Sequence, residues 1–120
     1  MKKFNLEDRL VDFSVQIINV VEQTPKTRTG NHLAGQIVRS GTSSALNYGE
    51  AQSAESPRDF VHKMKVVLKE LRETYVNLKI MHKGKVYENE SLIIEVKKEN
   101  DELISIFVKS VETAKRNMKD

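Results

Sequence analysis

Apolar residues recur at three- and four-residue steps in four segments of the chain, and polar residues fill the positions between them. This period is typical of amphipathic α-helices that bury one face. The pattern predicts helices over about residues 6–22, 31–53, 57–82 and 90–117. The predicted fold is therefore an all-α bundle of four helices, formed by residues 1–120 as a single domain.

Residues with capping chemistry indicate where the helices begin and end. Asn5, Ser56 and Asn89 each precede a predicted helix, and their side chains can accept hydrogen bonds from its first backbone N–H groups. Pro57 suits the first helical position, where no backbone donor is needed. Gly84 follows the third helix, and we expect it to adopt the left-handed conformation that ends many helices.

Residues 39–73 are the stretch around which the bundle is organised, because a helix rich in small residues is followed there by one with a bulky apolar stripe. Gly41 and Gly49 each cost the second helix about 1 kcal/mol relative to alanine. Close contact with a neighbouring helix is the expected compensation. Leu71 lies midway along the stripe of the third helix and is expected in the core. Lys97 and Asn100 interrupt the apolar face of the fourth helix, which predicts a bend, looser packing or a lysine that reaches past the bundle edge.

Some apolar residues fall off the main stripes, and one four-helix core need not cover them. Exposed apolar patches commonly mark interfaces, so these residues predict a homo-oligomer. They are Val11, Val15, Ile18, Leu46 and Ile94.

Composition excludes several classes of protein. The chain has no cysteine, so disulfides and thiolate chemistry are excluded, which fits a reducing cytoplasm. No apolar run approaches the ~18 residues that a membrane span needs. Glu7, Asp8 and Arg9 interrupt the apolar segment that an export signal would require. We therefore expect a cytoplasmic protein that does not bind membranes.

The sequence contains no recognisable catalytic or metal-binding motif. Its three histidines are not spaced at i, i+4, and the Glu-x-x-His element of di-iron bundles is absent. A phosphate-binding glycine loop and a nucleophile elbow are also absent. We therefore expect no enzymatic activity, cofactor or metal. A bundle enzyme or metal carrier that uses glutamates is kept as a further hypothesis beside the two that are given below. Two interpretations stay open for the polar groups Arg39, Glu50, Glu70 and Glu73: pairing between helices, or a functional polar site.

Basic charge is concentrated in one part of the chain. The net charge is +3, yet residues 57–85 carry 8 Lys or Arg against 3 Asp or Glu, while residues 86–120 carry 6 against 8. On the third helix the basic residues share one side, which only Val76 is expected to interrupt. This basic stripe consists of Arg58, His62, Lys65, Lys69, Arg72, Lys79 and Lys83.

The basic stripe has three interpretations: contacts with nucleic-acid phosphates, contacts with an acidic partner protein, or a solvated surface. Only 6% of the residues are aromatic, so base stacking is poorly supported. Contacts with RNA or DNA should therefore involve the backbone or the shape of the molecule. The leading hypothesis is a non-enzymatic oligomeric bundle that binds structured RNA or other nucleic acid through the third helix. The alternative is a protein-interaction scaffold that binds no nucleic acid.

Three motifs suggest a family. They are RSGTS at 39–43, NYGEAQSAES at 47–56 and DFVHKMKVVLKELRET at 59–74. In these motifs the chain resembles the 23S rRNA-intervening sequence proteins, small bacterial four-helix bundles, and looser similarity covers most of the chain. The resemblance implies an up-down antiparallel four-helix bundle, a ring-shaped homo-oligomer with the pentamer as the expected form, and no catalytic residues. It also implies kinship with the accessory variability protein of diversity-generating retroelements, which makes RNA, DNA and a reverse transcriptase candidate partners.

Overall fold

Four α-helices account for almost all of residues 5–118, the part of the chain that the computed structural model describes. Their order and bounds are α1 (Leu6–Glu22), α2 (Arg28–Gln52), α3 (Pro57–Lys83) and α4 (Glu90–Asn117). Each helix packs against the next one along the chain, and α1 also packs against α4. The backbones of the diagonal pairs α1–α3 and α2–α4 are farther apart, although the Tyr48 ring of α2 reaches Phe107 of α4. The all-α four-helix bundle predicted from the sequence is confirmed.

Polar side chains cap the starts of the helices as the sequence predicts. Asn5 Oδ1 accepts from the backbone N–H of Asp8 at 3.1 Å, and Asn89 Oδ1 accepts from that of Leu92 at 3.1 Å. The hydroxyl of Ser56 accepts from the N–H of Asp59 at 3.0 Å. These bonds satisfy N–H groups that have no partner within their own helix.

The predicted start of α2 at residue 31 is wrong. The helix begins at Arg28, because Thr27 acts as its N-cap and accepts from the backbone N–H of Gly30 at 3.0 Å. Gly30 is buried in this first turn, where a Cβ would collide with the carbonyl oxygen of Pro25. Gly30, which the sequence pattern places in the connection before the second helix, is therefore part of α2.

The predicted left-handed cap at Gly84 is also wrong. Gly84 has a right-handed conformation with φ −80°, and the left-handed residue is Lys85, with φ 59°. The N–H of Val86 bonds to the carbonyl of Met81 at 2.9 Å, and that of Lys85 bonds to His82 at 3.2 Å. This is the Schellman pattern, which places its left-handed residue one position beyond the C-cap. Because α3 extends to Lys83, that position is occupied by a lysine.

One apolar cluster runs through all four helices and contains most, but not all, of the residues in the predicted core stripes. Leu71 has no exposed surface, which confirms its central position. The largest fully buried side chains are Phe13, Phe107, Leu10, Ile17, Ile37, Leu71, Leu78, Met81, Ile93 and Leu103, followed by Val67 and Val96.

The two interior glycines of α2 have different surroundings. A Cβ on Gly41 would lie 2.8 Å from Ile17 Cγ1, so α1 and α2 approach closely there, as predicted. A Cβ on Gly49 would meet nothing within 4 Å, and the same is true of Gly35. The predicted close contact is thus correct for Gly41 and wrong for Gly49 within the described chain.

The polar residues that interrupt the apolar face of α4 take part in its packing against α3. Asn100 is fully buried, and its Nδ2 donates to the backbone carbonyl of Leu71 at 3.0 Å. Lys97 is half-buried, and its ammonium reaches His82 at the end of α3. Both residues therefore contribute hydrogen bonds that join α3 to α4.

Candidate nucleic-acid interface

The helix that carries the basic stripe is fixed firmly at its start. Besides the Ser56 cap, the carboxylate of Asp59 accepts from the backbone N–H of Glu55 at 3.1 Å and lies 3.3 Å from Lys63 Nζ. The bond from Glu55 lowers the pKa of Asp59 below its usual range, and Lys63 acts in the same direction. The negative charge of Asp59 in this first turn also interacts favourably with the positive end of the helix dipole.

All seven residues of the basic stripe are exposed. The central three, Lys65, Lys69 and Arg72, follow one another at steps of four and three residues and share one side of α3. Among residues 5–118, none of these three forms an ion pair with a carboxylate. They therefore present three positive charges to solvent along roughly 10 Å of helix, at 1.5 Å per residue.

An ion-pair cluster borders the stripe on the side of α2. Arg39 contacts the carboxylates of Glu70, at 3.2 Å, and Glu73. Glu70 is buried, and beneath it the hydroxyls of Ser40 and Thr74 lie 2.8 Å apart. For Arg39, Glu70 and Glu73 the structure supports pairing between helices, whereas Glu50 is exposed and lies outside this cluster.

Beyond Arg72 the basic stripe is less continuous than the sequence indicates. Val76 interrupts it, as predicted, but Ile80 does so as well, and about half of each side chain is exposed. The ammonium of Lys79 lies 5.3 Å from the centre of the Tyr75 ring, one turn earlier in the same helix. The stripe therefore divides into a purely basic part, residues 58–72, and a part where apolar and basic residues lie side by side.

The C-terminal end of the basic stripe lies beside residues of α4. The pattern of basic residues on α3 alone does not predict this contact. His82 lies between Lys97 and Glu90, with its Nδ1 3.2 Å from Lys97 Nζ and its Nε2 3.0 Å from the Glu90 carboxylate. The Tyr87 ring packs edge-on against His82, and partial burial together with Glu90 raises the pKa of the Tyr87 phenol. The one sequence signal for this cluster was the lysine on the apolar face of α4.

Aromatic rings are poorly placed for stacking on bases. Tyr48 packs edge-to-face on the buried Phe107, at 5.6 Å between ring centres, and burial followed by the charge of Glu7 raises the pKa of its phenol. Tyr75 is half-buried beneath Lys79. The stripe itself thus offers charge rather than stacking surfaces.

Residues 5–118 contain neither a cluster of metal-ligating side chains nor a helix that could span a membrane. No three His, Asp or Glu side chains lie close enough together there to hold a metal ion. No helix of this part of the chain has an apolar stretch of the length that a lipid bilayer requires.

The fold and the surface define a class: small, basic, all-α bundles with a cationic face on the third helix. The chain belongs to the 23S rRNA-intervening sequence protein family, whose model matches residues 2–109. A similar solved structure, with a TM-score of 0.81, is a protein of unknown function from the S23 ribosomal protein family of Bacteroides thetaiotaomicron VPI-5482. The two chains are 25% identical, and the match covers 89% of this chain and 98% of that one. No curated protein matches the chain.

Proposed function

We propose that this protein is a non-enzymatic oligomeric bundle that binds structured RNA through the basic stripe of α3. The observation that carries the proposal is the row of three exposed cations, Lys65, Lys69 and Arg72, none of which has a carboxylate partner within residues 5–118. Structural lysines and arginines on a bundle surface are often paired, as Arg9 is with Glu99 and Glu102 here. Cations left unpaired along one side of a helix suit the phosphates of a nucleic acid.

The chemistry of the surface favours recognition of shape over sequence. Lysine binds phosphate as a point charge, and the stripe lacks exposed aromatic rings and amide side chains that would read base edges. Double-stranded RNA is recognised largely in this way. The name of the family refers to an intervening sequence of 23S rRNA, so a base-paired stem-loop is the first ligand to test.

A filter-binding titration with a matched control tests the proposal. Lys65, Lys69 and Arg72 are replaced together by glutamine in one variant. In the control variant Lys98, Lys109 and Lys115, which are exposed on α4, are replaced in the same way.

Both variants lose the same charge, so any effect of net charge cancels. We expect the α3 variant to bind a stem-loop RNA at least about tenfold more weakly than the control, with unchanged melting. Equal affinities of the two variants would show that α3 is not the binding surface, and no binding by wild type at low salt would reject nucleic-acid binding.

Exposed apolar residues support the oligomeric part of the proposal. Val11, Val15 and Ile18 are 46%, 50% and 43% exposed and follow one side of α1. Val76 and Ile80 form a second apolar patch on α3. Since α1 and α3 are diagonal in the bundle, the patches lie on different sides. Two different patches suit a head-to-tail contact, which closes into a ring such as a pentamer, better than a two-fold dimer.

Complementation tests this arrangement. Wild type should scatter light as a multiple of 13.8 kDa, whereas Val15→Lys and Ile80→Lys should each be monomeric. Each variant keeps one intact patch, so an equimolar mixture should form a dimer and stop there. A wild-type mass of 13.8 kDa at micromolar concentration would contradict oligomerisation. Two monomeric variants that do not associate when mixed would contradict the head-to-tail contact.

The alternative function, a protein-interaction scaffold, also has a specific observation in its favour. Val76 and Ile80 line a depression of about 450 Å³ beside Gln36 and Glu73. A partner helix with apolar and basic residues would suit this surface. Binding of a protein partner that does not change with salt, together with no RNA binding, would favour the scaffold.

A further inference from the structure

A second basic feature lies where the end of α3 meets the first half of α4. It is a depression of about 280 Å³ lined by Lys79, His82, Lys83 and Lys97, and we call it the Lys97 pocket. Lys79 and Lys83 belong to the basic stripe, so the pocket continues the stripe at its C-terminal end. Lys97 comes from a different helix, which makes the site concave, unlike the stripe itself.

A hydrogen bond holds Lys97 in position in the pocket. Lys97 Nζ lies 3.2 Å from Nδ1 of His82, and Nε2 of His82 lies 3.0 Å from the Glu90 carboxylate. Because an ammonium only donates, Nδ1 must accept from Lys97, and the proton on Nε2 then donates to Glu90. His82 in this tautomer orients Lys97 while leaving its charge intact. Lys79 is positioned separately by the face of the Tyr75 ring.

The pocket has more positive charge than the described chain neutralises. Lys79, Lys83 and Lys97 make no ion pair among residues 5–118, and the carboxylate of Glu90 is engaged by the far side of His82. The dipole at the end of α3 accounts for cations in its last turn, such as Lys83. It does not account for Lys97, which lies seven residues into α4 on its core-facing side and is half-buried. The Lys97 ammonium hydrogen-bonds to the His82 imidazole but has no carboxylate partner among residues 5–118, so its charge is available to an anion.

We propose that the Lys97 pocket binds a phosphate monoester, the terminal phosphate of a nucleic-acid strand that lies along the stripe. Three lysines from two helices line the pocket, which suits the two negative charges of a monoester better than the single charge of an internal phosphodiester. The strand terminus rests on the proposed function, whereas the capture of a phosphate group does not. Lys65, Lys69 and Arg72 would contact internal phosphates of the strand, and the Lys97 pocket would bind its terminal phosphate.

The first experiment uses inorganic phosphate and the His82 and Tyr87 NMR signals, at fixed pH and constant ionic strength in a chloride background. We expect saturable shifts of both signals, which Lys97→Gln and Lys83→Gln should each weaken about tenfold, as for loss of one charge-assisted hydrogen bond. The control Lys69→Gln, on the stripe but outside the pocket, should leave them unchanged. Lys83 is exposed, so its variant remains informative if Lys97→Gln fails to fold. Shifts that do not saturate, or that persist in both pocket variants, overturn the pocket.

The second experiment compares two RNA strands of one sequence, one with a 5′-phosphate and one with a 5′-hydroxyl, and repeats the comparison with the phosphate at the 3′ end. We expect a terminal phosphate to raise affinity about tenfold for wild type and not at all for Lys97→Gln. If inorganic phosphate binds but phosphorylated and unphosphorylated strands bind equally, the assignment to a strand terminus is overturned and free phosphate is the ligand. If inorganic phosphate binds but neither strand does, the proposed nucleic-acid function fails while the phosphate site stands.

Discussion

Replacement of Gly41 by alanine tests the close contact between α1 and α2. The added methyl group would lie 2.8 Å from Ile17 Cγ1 and 3.0 Å from Cγ2. Ile17 is fully buried and β-branched, so its side chain cannot turn away cheaply. The Ser14 hydroxyl lies 3.4 Å from the Gly41 carbonyl, which also indicates that α1 and α2 have little room to separate here.

Two opposing effects determine the size of the change. Alanine in place of glycine inside a helix stabilises by about 1 kcal/mol, whereas overpacking a filled core costs about 1–3 kcal/mol. Gly35→Ala provides the matched control, because its Cβ would meet nothing within 4 Å and only the helix propensity changes. We therefore expect Gly35→Ala to be more stable than wild type. Gly41→Ala should be less stable than that control by about 1–3 kcal/mol.

Urea unfolding followed by circular dichroism measures both free energies, with all proteins at one concentration because assembly also affects stability. A double-mutant cycle with Ile17→Ala then assigns the cost. Truncation of Ile17 makes room, so Gly41→Ala should become less harmful, or favourable, in that background. Equal stabilisation by Gly41→Ala and Gly35→Ala would refute the close approach of α1 to α2.

Three further changes have defined outcomes. Leu71→Ala should lower the free energy of unfolding by about 2–5 kcal/mol in urea, through lost burial and a cavity; an unchanged value would contradict the core position of Leu71. Lys85→Gly should raise it by about 1 kcal/mol, because glycine adopts φ 59° without strain; a loss of stability would show that the lysine side chain contributes more than the strain costs. The low pKa of Asp59 means that its stabilising effect is present above the ordinary value of 3.8 and is lost as pH falls through the folded-state pKa. Wild type should therefore lose more stability on acidification than Asp59→Asn, and parallel urea midpoints for the two from pH 7 to about pH 2 would contradict this.

Patterns within single helices were sufficient to predict the four helices and most of their buried faces, whereas the up-down arrangement rested on the family resemblance. The period of apolar residues specifies which side of each helix is buried, and a cap such as Ser56 is a local signal because its hydrogen bond spans three residues. The errors also have local causes. The α2 start was misplaced because Thr27 and Gly30 resemble a turn, and the left-handed residue was misplaced by one position because α3 extends to Lys83.

The surface was predicted only as far as it depends on one helix. The sequence placed Lys65, Lys69 and Arg72 on one side of α3, and they are exposed there. It did not reveal that Lys97 meets His82, because that contact joins two helices and depends on where they cross. Nor does the sequence identify the partners of Arg39, because the two glutamates that Arg39 contacts lie 31 and 34 residues away in the chain.

The salt dependence of RNA binding tests the central claim most directly. The slope of log affinity against log salt concentration reports how many phosphates the protein neutralises. Loss of Lys65, Lys69 and Arg72 together should reduce the magnitude of that slope by about 2–3, and loss of three lysines on α4 should leave it unchanged. Identical slopes for wild type and the α3 variant would show that these cations do not contact RNA.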